Sequence, residues 1–69
     1  MKKFASRLKE LREKKGISAL ALSKILKFAD TNIGRWERGK NGIKLGSIIK
    51  LADYFNVSID YLLGRSDDY

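Results

Sequence analysis

The chain contains no cysteine, no histidine and no proline. Without cysteine there is no disulfide framework, and a reducing, cytoplasmic setting is expected. Without cysteine and histidine a zinc site lacks its usual ligands, so neither metal nor cofactor is expected. The same absences remove the common nucleophiles and bases of catalysis. No phosphate-binding glycine loop and no acid pair placed for proton transfer replaces them, so the expectation is binding and not an enzyme. No apolar run approaches the ~18 residues of a membrane span. The basic start "MKKFASRLKELREKK" carries charges where a secretory signal needs an apolar stretch. Strand alternation, low-complexity tracts and internal repeats are also missing.

What is present is charge. The 69 residues hold 15 lysines and arginines against 8 acids, a formal +7. Such an excess attracts a polyanion, with nucleic acid first and an anionic membrane surface second, unless it is simply a solvated surface. The first segment is basic and amphipathic, as a membrane-lying helix would be. Its apolar stripe of Phe4, Leu8 and Leu11 is thin for that purpose, and core packing is the better account, so no membrane partner is expected.

Turn signals divide the chain into five short helical segments. The first runs from about Lys3 to Lys15, with Gly16 as its stop. A second follows Ser18, a hydroxyl N-cap, and ends near Lys27. Leu22 and Leu26 make its core pair, flanked by Leu20 and Ile25. The third spans about Asp30 to Arg38, with Asp30 as cap or first-turn acid and Gly39 as the stop. Asn41-Gly42 then signals a turn. The fourth, about Leu45 to Phe55, shows Leu45, Ile48, Ile49, Ala52 and Phe55 on one face, behind the weak start of Lys44 and Gly46. The fifth follows Ser58, carries Ile59, Leu62 and Leu63, and stops at Gly64; "RSDDY" is expected to fray. With connections this short, the helices must cross steeply around one small core, of the size that buries only ~60% of the unfolded surface.

The third segment, "ADTNIGRWERGK", has an unusual division of labour. On a helical wheel Ile33, Trp36 and Glu37 gather on one side, while Asp30, Thr31, Asn32 and Arg35 point largely the other way. A short polar face ending in one long cation suits the major groove, where each base pair shows its own donor and acceptor pattern. Arginine can read guanine with two prongs, asparagine adenine, threonine a thymine methyl and aspartate cytosine. An ordinary polar surface helix would look similar. The short helix before it, a tight turn and the +7 charge tip the balance toward a DNA-reading pair.

The blocks "SRLKELREKKGIS", "IGRWERGK" and "IIKLADYFNVSIDYLLG" resemble the helix-turn-helix family of phage Cro and C1 repressors, the XRE type. The resemblance covers about Phe4 to Gly64. It implies an all-α, compact five-helix, lambda-repressor-like domain over residues 1–64, with helices two and three as the helix-turn-helix. Residues 65–69 would be a polar tail or the start of a linker. The resemblance also implies a nucleoid-associated transcriptional regulator, usually a repressor, binding a double-stranded DNA operator as a homodimer.

Position by position, the resemblance puts Asp30, Thr31 and Arg35 at base edges. Ser18, Asn32, Arg38, Lys40 and Lys44 fall at phosphates or the groove rim, and Arg12 and Glu37 at a structural ion pair. Asp30 stays open between cytosine reader, helix cap and a charge that rejects other operators. Tyr54, Val57, Ile59, Tyr61 and Leu62 are the candidate dimer seam. Departures from the family pattern fall at Ala19, in place of a phosphate-touching glutamine, and at Ala29, in place of a hydroxyl cap. Gly34 lies mid-helix, and Lys27 occupies a turn position that often holds glycine. Lysine in a left-handed turn costs ~1–2 kcal/mol unless the turn differs. Leu20, Ala21 and Ile25 stand where the family often has charge. They leave a second reading: an apolar flank for an anti-repressor, a toxin or a second domain, or else extra core packing.

Overall fold

The computed structural model describes residues 2–40 and 42–69. The turn signal at Asn41 lies outside them. Five helices follow one another: α1 (Lys2–Lys14), α2 (Ala19–Ile25), α3 (Asn32–Glu37), α4 (Leu45–Phe55) and α5 (Ile59–Leu63). No strand occurs among the described residues. Each helix sends one aliphatic side chain to the centre: Leu8, Leu22, Ile33, Leu51 and Leu62 are all 0% exposed. Phe4, Leu11, Trp36, Ile48 and Phe55 close around them. The helices α2 and α3 pack on each other, α1 packs on both α3 and α5, and α4 packs on α5.

Local chemistry sets most boundaries. Ser18 Oγ accepts from the Ala21 N–H at 3.0 Å and opens α2. Ser58 Oγ accepts from the Tyr61 N–H at 2.9 Å and opens α5. Gly64, at φ +81°, ends α5 and lets the Arg65 N–H reach Asp60 O at 2.8 Å. Lys44 opens α4 with no side-chain cap, as its poor start implied.

Four expectations need correction. The buried face of α4 is Ile48, Leu51, Ala52 and Phe55, while Leu45 and Ile49 are 65% and 40% exposed. Ile48, Ala52 and Phe55 lie on the face expected for them; Leu51 joins them, and Leu45 falls outside because it sits at the helix tip beyond the core. The α2 helix ends at Ile25, short of Lys27, because Lys27 leaves helical space at φ +61°. The α3 helix begins at Asn32, and its N-cap residue, Thr31, makes no side-chain cap bond. Finally, the 65–69 segment folds back where fraying was expected. Arg7 Nη1 donates to Ser66 O at 2.6 Å and Arg7 Nη2 meets Asp67 Oδ1 at 2.7 Å. The Ser58 N–H donates to Tyr69 O at 3.1 Å, and the Tyr69 ring lies 4.5 Å from that of Tyr61.

Candidate nucleic-acid interface

The pair α2 and α3 is joined by a turn that the core holds from below. After the left-handed Lys27, the Phe28 N–H returns to Ser23 O at 2.8 Å. The Phe28 ring then meets Trp36 edge-on, with centroids 5.2 Å apart. From α4, Lys50 Nζ donates to Leu26 O at 3.3 Å and lies 5.5 Å from the Phe28 ring, bracing the turn.

Three residues pull α3 inward. Ile33 and Trp36 are 0% and 2% exposed. Beside them Glu37 turns back to α1, accepting from Arg12 Nε at 2.7 Å and Arg12 Nη2 at 3.0 Å. Arg12 Nη1 also donates to Ile17 O at 2.7 Å. The hydrogen bonds to Glu37 hold the Arg12 guanidinium protonated to a higher pH than usual, against the cost of its desolvation. This is a fork-to-fork pair, the geometry that favours arginine over lysine.

The opposite side of α3 faces solvent. Thr31 and Arg38 are exposed, and Asn32 and Arg35 half-buried. Lys40 and Lys44 stand exposed along the following loop. Spacing of i, i+4 and i+7 puts Thr31, Arg35 and Arg38 in one row. Asp30 does not cap α3; its carboxylate is exposed and lies 3.6 Å from Lys24 Nζ. Ser18 is exposed, and while its oxygen caps α2 its hydroxyl proton can still donate. The two arginines lie close to glycines. A Cβ at position 34 would come 3.3 Å from Arg38 Nη1, and one at position 42 would come 3.3 Å from Arg35 Nη1. Gly34 thus leaves room for a guanidinium against its own helix.

Two of the five seam residues are spent inside the monomer. Tyr61 is 7% and Leu62 0% exposed, so neither can line a surface between copies of this fold. Tyr54, Val57 and Ile59 remain half-buried at the edge. On α2, Leu20 and Ile25 are 48% and 50% exposed, which rules out the extra-packing account of both.

Two residues escaped notice in the sequence. Arg7 donates to Tyr61 O and Ser66 O, pairs with Asp67 and lies 4.1 Å from the Tyr61 ring. Its place three residues after Phe4 and four before Leu11 put it beside the core stripe. Lys50 bridges α4 to α2, and its sequence carries no comparable signal.

Residues 8–62 match the sequence profile of the helix-turn-helix family. Among curated proteins, the HTH-type transcriptional regulator ImmR of Bacillus subtilis (strain 168) is 34% identical over 64 residues, covering 93% of this chain and 50% of that protein. The uncharacterized HTH-type transcriptional regulator YobD of the same strain is 29% identical over 65 residues, covering 94% and 58%. The chain therefore spans about half the length of the curated relatives it matches. In three dimensions it superposes on the P22 c2 repressor, solved in complex with a synthetic operator. The TM-score is 0.84 at 26% identity, over 96% of this chain and 100% of that one.

Proposed function

Because the chain belongs to the helix-turn-helix family, we propose that it is the sequence-reading DNA-binding module of a transcriptional regulator. One observation carries this reading. The α3 helix is anchored by Ile33, Trp36 and Glu37 and turns its Thr31, Arg35 and Arg38 row to solvent, beside Lys40 and Lys44. A helix so presented can enter the major groove while the flanking cations meet phosphate. Arg35 and Thr31 read base edges, with Asp30 at the same end of the helix. Ser18, Arg38, Lys40 and Lys44 hold the backbone. The action is binding without catalysis, and repression is the expected sense.

A single domain offers few contacts. A homodimer doubles them, with half-sites ~34 Å apart, and Tyr54, Val57 and Ile59 are its candidate seam. If Arg38, Lys40 and Lys44 each neutralise one phosphate, a dimer neutralises ~6, and log K falls against log salt with a slope of about −5. Selection of bound duplexes from a random pool yields the site and its symmetry. Against that site, Arg35→Ala relaxes preference at one base pair per half-site, and Lys40→Ala weakens all duplexes alike. Equal losses on selected and random duplexes for both variants would refute the assignment.

The exposure of Ile25 favours a second, compatible role. An open groove of about 420 Å³ runs between the end of α2 and α4, lined by Ile25, Leu26, Lys27, Lys50, Asp53 and Tyr54. An anti-repressor, a toxin or a second domain could seat there. Ile25→Glu separates this role from DNA binding, since it changes the groove and leaves the α3 face intact.

A further inference from the structure

The side chain that does most of the proposed reading is itself held. Arg35 Nη2 donates to Asn32 Oδ1 at 3.2 Å, one turn back along α3. On the other side, Arg35 Nη1 lies where any Cβ at position 42 would come within 3.3 Å. Gly42 has φ +99°, a backbone that side chains other than hydrogen rarely accept. Both Asn32 and Arg35 are half-buried, in contrast to the exposed Arg38, Lys40 and Lys44. A guanidinium is a planar, rigid fork. The Asn32 bond holds one of its nitrogens, and another lies beside the space that Gly42 leaves open.

We propose that Asn32 is a positioning residue for Arg35, and that preference at the base pair Arg35 reads is a joint property of the two. The inference rests on Arg35 being the base reader, as the proposed function has it. It moves Asn32 from the phosphate rim to the reading head. The physical ground is preorganisation: a two-pronged contact to guanine O6 and N7 needs the fork in the plane of the base, and a fork already held there loses less freedom on binding. Gly42 supplies the room, because a Cβ at that position would crowd Arg35 Nη1 at 3.3 Å.

The two roles for Asn32 differ in what they disturb. A phosphate contact is indifferent to sequence, and losing it weakens all duplexes and shallows the salt slope. A positioning residue changes discrimination at one base pair. The probe is the duplex that the wild-type 69-residue chain selects from a random pool, together with single-base variants of it. Binding is measured at several salt concentrations for Asn32→Ala, Arg35→Ala, the double variant and Asn32→Asp. Asn32→Ala is expected to lose roughly three- to tenfold of the discrimination at the Arg35 base pair, a part of what a two-pronged contact supplies, with the salt slope unchanged. In the Arg35→Ala background the same substitution costs nothing further at that base pair, which is the mark of coupled residues. Asn32→Asp keeps an acceptor for Arg35 and retains the discrimination, while its charge lowers affinity for all duplexes. Uniform weakening by Asn32→Ala with a shallower salt slope, while Arg35→Ala still relaxes one base pair, overturns the positioning role and leaves the proposed function standing. Unchanged discrimination in Arg35→Ala overturns both.

Discussion

Removing the Glu37 carboxylate tests how α3 is held. Arg12 makes two bonds to Glu37, at 2.7 and 3.0 Å, and one to Ile17 O at 2.7 Å. The two side chains are 14% and 9% exposed. Deleting one partner of a buried pair costs ~3–5 kcal/mol, because it strands the other charge. The residual exposure of Arg12 places Glu37→Ala near the bottom of that range, at ~3 kcal/mol. A 69-residue domain has only ~3–10 kcal/mol of stability in total, so the loss takes a third of it or more. In melting temperature that is a fall of roughly 12–24 °C. Urea unfolding read by Trp36 fluorescence measures it well, since Trp36 is the one tryptophan, 2% exposed and next in sequence to Glu37. The double variant Arg12→Met with Glu37→Leu removes both charges and is expected within ~1 kcal/mol of wild type. A cost below ~1 kcal/mol for Glu37→Ala would refute the reasoning, for that is the range of solvent-exposed ion pairs in general. So would a double variant no more stable than the single one.

Two further outcomes follow from the backbone and the tail. Lys27 sits exposed at φ +61°, where an L-residue loses ~1–2 kcal/mol and glycine returns ~0.5–1 kcal/mol in chain entropy. Lys27→Gly should therefore raise stability by ~0.5–1 kcal/mol in urea unfolding, and a destabilised variant would contradict the strain. Burial, with help from Tyr69, pushes the Tyr61 phenol above the usual tyrosine value. Its neutral form is thus favoured in the fold. That stability is complete below pH ~10 and is lost as pH rises from there through the folded value. Alkaline unfolding curves should be steeper for wild type than for Tyr61→Phe, and superimposable curves would count against the burial account.

How far the sequence could be read depends on the range of the interaction that decides each feature. Ser18, Ser58, Gly16 and Gly64 act within a turn of themselves, and the helices they bound were legible. The left-handed Lys27 was legible as a cost, but its consequence, an α2 ending at Ile25, was not. The start of α3 is not legible from side-chain caps, because the Asn32 N–H bonds to Ala29 O at 3.0 Å and Asp30 pairs with Lys24. For α4 the period and three residues of the buried face were legible, whereas the choice of Leu51 over Ile49 and Leu45 depends on the neighbours that other helices bring. The 65–69 segment reads as a loose polar tail until Arg7, some 60 residues away in sequence, is brought to Asp67. As for Arg12 and Glu37, 25 residues apart, spacing alone made Glu37 an awkward acid on a DNA-facing helix; only the family resemblance paired the two.

That pairing also bears on how so short a helix is held. The α3 helix has six residues, one of them Gly34, and no side-chain cap. An isolated helix below ~12–15 residues is marginal in water, and a central glycine costs ~1 kcal/mol more. Its stability must therefore come from outside: Ile33 in the core, Trp36 against Phe28, and Glu37 on Arg12. Every one of these anchors is on the inward side, at positions 33, 36 and 37, whereas 31 and 38 are exposed and 35 is half-buried. On the proposed function, substitutions in the outward row change which duplex is bound and leave the anchors of α3 in place, and substitutions in the inward row do the reverse. Asn32 is where the two sets meet. It is half-buried yet bonded to an outward arginine, so a residue of α3 itself holds one nitrogen of that guanidinium.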